Sequence, residues 1–458
     1  MRTSCWTCAL VTLALGCDPA RETPPDPPAE TAAFSVVTGA LLDPLGRQVI
    51  LRGANVSGMQ KYPPYIDFHT EADFRRMRDE WAMNSARYLL SWAAVMPQRG
   101  VVDETYLARV KERMDWAAHA GILVILDMHQ DVYGEGFGAN GAPRWTCDES
   151  YYAAYTPDDD WYLNYLDPNV VACFDAFWAD VALQQLYSDA WVAVARTLKD
   201  HPAVIGFDVI NEPWLGSFAI DDFEPMALQP FYELVVGAIR AEEPDWVAFL
   251  EPSSMRNLGQ TTRLAAFPFP NVVYSPHSYD AAAERGEGFD AERRAAVFST
   301  VAELAEEART LNAALWIGEY GGRESHPGIT EYMDAELDAA DLHRAGAMYW
   351  DYSRSDGYGL LDVDGAEKTT LLNAVVRPAP RLVDGTELQW AYDSETRTLT
   401  VQYRARGKAT TEIVAPARVY PGGVAVECAQ CSATTSGQDV HVEASEGAQV
   451  VITVRPAS

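Results

Sequence analysis

The sequence predicts an α/β protein: a (β/α)8 TIM barrel followed by a C-terminal all-β sandwich. Three observations predict it. Short Val/Ile/Leu-rich runs alternate with amphipathic stretches of helical period between residues 34 and 378, the pattern of parallel strands buried under covering helices. Several of those runs end abruptly in polar side chains, and the C-terminal ends of barrel strands are where chemistry is placed. After Pro378 the helical period stops and short alternating runs begin.

The elements follow in order. Residues 34–49 read as a hairpin turning at Asp43-Pro-Leu-Gly46, placed to plug the bottom of a barrel. Residues 49–55 read as the first strand, and 71–83 as a helix with Phe74, Met77 and Trp81 on one face. The second strand spans 85–92 and its helix 104–120. The third strand is 121–129, the next helix 180–199, and the fourth strand 204–210. A helix over 231–242 leads to the fifth strand, 246–250, and the sixth, 272–277. A long helix over 291–311 precedes the seventh strand, 314–318; a helix over 330–345 precedes the eighth, 346–350. Residues 130–178 show no period but carry Tyr133, Phe137, Trp145, Tyr151, Tyr152, Tyr155, Trp161, Tyr162 and Tyr165. So aromatic a loop reads as a wall or lid over a cleft, not as disorder. The sandwich is predicted over 379–458, with strands near 388–392, 398–403, 411–413, 424–426, 440–442 and 449–454.

The chain has 458 residues with 35 Lys+Arg against 66 Asp+Glu, a formal charge of −31. Such a balance disfavours nucleic acid and anionic membrane surfaces as electrostatic partners. Residues 1–17 read as a signal peptide: Arg2 begins it, Cys8 to Leu15 is too short to span a bilayer, and Leu13-Ala-Leu-Gly-Cys17 is lipobox-like. Cys17 is therefore a lipidation candidate, with ordinary signal cleavage as the alternative. Either route exports the protein, secreted or anchored at the bacterial cell envelope. Residues 18–33 read as a Pro-rich linker. Four cysteines then remain, and their spacing suggests disulfides Cys147–Cys173 and Cys428–Cys431. Cys428-Ala-Gln-Cys431 also fits a metal half-site or redox motif, but no second Cys pair or nearby His supports zinc.

The organising stretch is Val204 to Trp214, where a buried strand stops at Asn211-Glu212-Pro213 because proline cannot donate to a central ladder. A lone Glu there is commonly a satisfied carboxylate. Ala314-Leu-Trp-Ile-Gly-Glu319-Tyr-Gly-Gly322 repeats the pattern, and two strand-tip carboxylates in one barrel point to acid/base and nucleophilic work on a glycosidic bond. A nucleophile must be ionised, and Arg87 and Tyr279 are its candidate cation and donor at Glu319. The acid must keep its proton, which burial and a nearby like charge are expected to arrange for Glu212. Asn211 suits a sugar 2-hydroxyl, Trp350 the apolar face of a sugar ring, and His129 and His277 orientation by hydrogen bonds. No His/carboxylate set has metal-ligand spacing along the chain, so neither metal nor cofactor is expected.

This set resembles glycoside hydrolase family 5, retaining (β/α)8 glycosidases whose pattern has eight polar or aromatic positions. Here they read Arg87, His129, Asn211, Glu212, His277, Tyr279, Glu319 and Trp350. The resemblance implies Glu212 as acid/base and Glu319 as nucleophile. Asp127-Met-His-Gln-Asp131, Gly141-Ala-Pro-Arg-Trp145 and Asn211-Glu-Pro-Trp214 are similar to the endoglycoceramidase branch, which releases glycans from ceramide and has a C-terminal β-sandwich. It implies that Lys61 and Asp131 contact the glucose next to ceramide. Gly318-Glu-Tyr-Gly stands where the branch more often has Glu-Phe-Gly. The expected partner is a glycolipid or oligosaccharide, met by a monomer at a membrane or micelle surface. The alternatives are another family 5 activity, on simple or steryl glucosides or on β-1,4-glucans, and a surface carbohydrate- or glycolipid-binding protein without catalysis.

Overall fold

The computed structural model describes residues 33–457. The leader, Cys17 and the linker up to residue 32 lie outside the described residues. Eight parallel strands close into a barrel: β1 (Arg52–Val56), β2 (Ser85–Leu90), β3 (Leu123–Met128), β4 (Val204–Asp208), β5 (Val247–Leu250), β6 (Val272–Tyr274), β7 (Ala314–Tyr320) and β8 (Gly346–Tyr352). Each pairs with the next, and β8 returns to β1 in the register Ala347↔Arg52. The strands are buried along nearly their whole length, which is why their sequences are apolar runs rather than alternating ones.

Helices cover the outside, and their ends follow capping chemistry. Glu104–Ala120 begins at Asp103, whose carboxylate accepts from the Thr105 and Tyr106 amides, and ends at Gly121 with φ 69°. The first helix is shorter than the sequence suggests: it stops at Asp79, and Ala82 turns the chain with φ 56°. The second strand also stops early, because Trp92–Val95 forms a helical turn.

Two regions depart further from the sequence reading. Residues 49–55 are not one strand. Gln48–Val49 pairs with Ala379–Val383, and only Arg52–Val56 enters the barrel. The hairpin Ser35–Val37/Ala40–Leu42 thereby joins the edge of a seven-stranded sheet whose other strands come mostly from the C-terminal region. It also plugs the barrel, since Leu41, Val49 and Leu51 pack against Ile125, Val247, Phe249, Trp316 and Met348. A four-stranded antiparallel sheet packs on the seven-stranded one, with Ile413, Val440 and Val442 facing Leu399, Val401, Ile452 and Val454.

The second departure is the aperiodic stretch after β3. It holds two α-helices, Glu149–Ala154 and Pro168–Ala179, and three 3-10 turns. Cys147–Cys173 ties it together, and Cys428–Cys431 is also a disulfide, between the strands Val424–Ala429 and Ser432–Ser436. Its aromatics divide. Tyr133, Phe137, Tyr152 and Tyr165 are buried, with Phe137 4.8 Å from Tyr152 and Tyr165 5.1 Å from Trp214. Tyr151, Trp161 and Tyr162 face solvent. Among the described residues no helix is long and apolar enough to cross a membrane.

Candidate active site

Arg87, on β2 and wholly buried, is the hub at the C-terminal end of the barrel. Its Nη1 donates to Glu319 at 2.8 Å and to Asn55 at 3.1 Å. Its Nη2 donates to Glu251 at 2.8 Å and to Asn211 at 3.0 Å, and its Nε to Asp208 at 3.1 Å. Asp127 lies 3.0 Å away. Four carboxylates around one buried guanidinium cannot all stay charged cheaply. Burial and the Glu251 charge push Asp208 well above the usual carboxylate range, against the pull of Arg87.

Glu319 belongs to β7 itself. Besides Arg87 it accepts from the Tyr279 hydroxyl at 3.0 Å, and it lies 3.5 Å from His277 Nδ1. Burial raises its pKa; His277 and Arg87 lower it, and Glu212 raises it further, so the resting carboxyl sits above its ordinary value.

Glu212 lies beyond the end of β4, at φ 41°, a left-handed backbone that non-glycine residues seldom adopt. Its N–H donates to Glu251 Oε2 at 2.8 Å, and Gln130 Nε2 donates to its carbonyl at 3.0 Å. Its carboxylate Oε1 pairs with His277 Nδ1 at 2.8 Å and accepts from Asn257 Nδ2 at 2.8 Å. Burial raises this group too, but the hydrogen bond and charge of His277 outweigh it, and Glu212 rests below its ordinary value. That corrects the expectation that burial and a like charge would raise it: the nearest titratable neighbour is a cation. His277 stands well above its usual range; burial lowers it, but Glu251, Glu319 and Glu212 prevail.

One carboxylate oxygen from each of Glu212 and Glu319 and one His277 nitrogen all lie within 4.8 Å of one another. The fold thus assembles a His/carboxylate set that linear spacing does not reveal. It has the spacing of a metal site. Its positive charge is already supplied, by Arg87 on Glu319 and by His277 between carboxylates.

Beside this pair lies a polar wall. His129 Nδ1 pairs with Asp127 at 2.7 Å, which fixes the ring. The ring stacks on Trp350 with centroids 5.2 Å apart and 14° between planes. Lys61 Nζ sits 4.4 Å over the Trp350 ring and 2.7 Å from Asp131, which also accepts from Asn140 at 2.7 Å. Burial raises Asp131, but Lys61 and His129 hold it well below the usual range. Asn211 is engaged at both ends, its oxygen with Arg87 and its nitrogen with the Gln130 carbonyl at 3.1 Å; one amide hydrogen remains for a ligand.

All the residues singled out at strand ends, together with Lys61, join this one network. The sequence reading gave no role to Asn55 or Gln130, which stand only within motifs similar to the branch, and passed over Asp208, Glu251 and Asn257. Glu251 directly follows an apolar run of the sequence, as Glu319 does, and so carried a signal. Asn257 sits in a loop turn and carried none.

A closed parallel barrel that presents two facing carboxylates, one on a buried arginine and one on a histidine, has the form of a barrel glycoside hydrolase. The family model for cellulase, glycosyl hydrolase family 5, matches residues 42–356, and that for the glycoside hydrolase family 5 C-terminal domain matches 377–455. The chain belongs to glycoside hydrolase family 5, and its similarity runs to the endoglycoceramidase branch. It is 27% identical to Endoglycoceramidase I of Rhodococcus hoagii over 447 residues, covering 91% of this chain and 85% of that one. Endo-glycoceramidase II from Rhodococcus sp., solved as a ganglioside GM3 complex, superposes with TM-score 0.84 at 30% identity, covering 92% of this chain and 100% of that one. The same enzyme solved as a lactosyl-enzyme intermediate gives 0.82 at 30% identity over the same shares.

Proposed function

We propose that this chain is a retaining β-glycosidase that cuts the glycan–ceramide bond of glycosphingolipids. The spacing of Glu212 and Glu319, with oxygens within 4.8 Å, carries the retaining assignment. Retaining enzymes hold their carboxyls about 5 Å apart; inverting ones leave room for a water, at roughly 6.5–9.5 Å. Glu319 attacks the anomeric carbon while Glu212 gives its proton to the departing ceramide oxygen. Glu212 then takes a proton from water, which displaces Glu319 from the sugar. Arg87 and Tyr279 stabilise the charge on Glu319 before it attacks and again as water displaces it from the sugar.

The resting proton balance runs opposite to these roles, and His277 reconciles it. Moving one proton along the 2.8 Å bond from His277 Nδ1 to Glu212 makes Glu212 the acid. The same move removes both the Glu212 charge that raises Glu319 and the larger His277 charge that lowers it, so keeping Glu319 ionised falls to Arg87. Arg87 and Tyr279 remain as donors to the nucleophile.

The glycolipid assignment draws on the two endoglycoceramidases, one of which was solved with a ganglioside and as a lactosyl-enzyme. Lys61, Asp131 and Trp350 form the wall for the glucose next to ceramide. The enzyme acts outside the cytoplasm, secreted or anchored through Cys17; Cys17→Ser should release it from the membrane fraction, and retention there refutes the anchor. Incubation with fluorescent glucosylceramide, lactosylceramide or ganglioside, and a soluble cellulose derivative tests specificity. Intact glycan released from the ceramide substrates is the expected result. Release from cellulose alone favours a glucanase, and binding without release favours a non-catalytic receptor.

A further inference from the structure

Glu251 follows β5 and is 2% exposed, yet the double displacement assigns it no step. Its main chain is fixed by the Tyr232 hydroxyl, which donates to its carbonyl at 2.8 Å. Its side chain bridges three groups. Oε2 accepts from the Glu212 N–H at 2.8 Å, at the residue whose backbone is left-handed. Oε1 accepts from Arg87 Nη2 at 2.8 Å. Oε1 also lies 3.3 Å from His277 Nε2, an ion-pair distance rather than an aligned hydrogen bond. The other nitrogen of that ring meets the Glu212 carboxylate.

We propose that Glu251 is a positioning residue for the general acid: it pins the strained main chain of Glu212 and holds the His277 ring against the Glu212 carboxyl. Two of its three contacts serve Glu212. The third, Arg87, keeps Asp127 and Asp208 when Glu251 is altered, so the nucleophile side loses less. A left-handed non-glycine residue is strained and persists only where its surroundings over-determine it. The Glu251–amide bond and the Gln130 bonds to the Asn211 and Glu212 carbonyls are that over-determination.

The inference rests on Glu212 being the acid, and its test separates the two. Glu251→Gln keeps the size but must aim an NH2 at either the Glu212 N–H or Arg87, donor against donor. On a ceramide-linked substrate, whose alkoxide leaving group needs a proton, kcat should fall about 100-fold, the lower range for general-acid catalysis, with KM little changed. On a 2,4-dinitrophenyl glycoside, which leaves without a proton, the first step should fall less than about tenfold. The groups facing His277 are Glu212, Glu251, Glu319 and Tyr279. Removing one of those carboxylates lowers the pH at which the His277–Glu212 pair loses its proton, so the alkaline limb of kcat/KM should move toward acid. Equal losses on both substrates with an unmoved limb overturn the inference. Glu212→Ala is the control: the same leaving-group dependence there upholds the acid assignment, and its absence overturns both readings. If Glu251→Gln fails to fold, Glu251→Asp, charged but too short to span, should give the same split between substrates, and no split overturns the inference.

Discussion

Glu319 and Glu212 differ more in their surroundings than in their chemistry. Glu319 is part of a barrel strand, 5% exposed, and held by a permanently charged guanidinium and a phenol. Glu212 lies past its strand on a left-handed turn and is half-buried, held by an imidazole and a loop amide. A cation that cannot titrate suits a group that must stay ionised to attack. A partner that titrates suits a group that must gain and lose a proton in each cycle. The difference supports the roles proposed for the two glutamates, which are the roles that the family resemblance implies.

The largest expected effect tests the fixed side. Glu319→Gln is nearly isosteric, and steady-state turnover should fall about 10⁵-fold, the scale on which removing a nucleophile acts. Circular dichroism and Tm should show a folded protein. Near-normal turnover would refute the nucleophile assignment.

The movable side should show a smaller and leaving-group-dependent loss. Glu212→Ala should lose about 10³-fold on ceramide substrates. With azide and an activated aryl glycoside, activity should return and yield a β-glycosyl azide, read by NMR; an α-azide would mean inversion.

Lys61 pairs with Asp131 and feels the Glu319 charge without bonding to either catalytic carboxylate, so Lys61→Ala should sharpen the contrast. It should raise KM about tenfold, one lost polar contact, while kcat changes little. A large fall in kcat with KM unmoved would place Lys61 in the chemistry instead.

A third carboxyl shows what burial does without a cation. Glu336, on the helix Ile329–Leu342, is 3% exposed, and burial pushes it from 4.5 up to about 8. Between those values the folded protein keeps a proton that the unfolded chain releases, so stability falls as pH rises through this window. Glu336→Gln removes that dependence. Its Tm should match the parent near pH 5 and exceed it near pH 8, by thermal melts; a parallel pH dependence in both proteins would contradict the assignment.

Much of this site could be read from the chain, because barrel strands end where their apolar runs end and the chemistry sits there. Asn211-Glu212-Pro213 and Gly318-Glu319 announce themselves in this way. Three things could not be read. Val49 pairs with Leu382 across more than 300 residues, and no local pattern marks that register. The helix Pro168–Ala179 hides in an aromatic stretch because its buried face meets no barrel strand in regular register: Phe174 packs on Tyr133 and Tyr165 of the insertion, and Phe177 and Trp178 on Trp92, Tyr187, Phe223 and Phe231 of neighbouring helices. The low resting pKa of Glu212 depends on His277 arriving from another strand end. Burial alone predicts the opposite sign.

The central claim is that Glu319 becomes bonded to the sugar while Glu212 does not. An activated 2-deoxy-2-fluoro-β-glucoside slows breakdown of a glycosyl-enzyme more than its formation. Mass spectrometry of the inactivated enzyme should show one sugar per chain, and peptide mapping should place it on Glu319. A label on Glu212, or none despite turnover of the parent glycoside, would contradict the account.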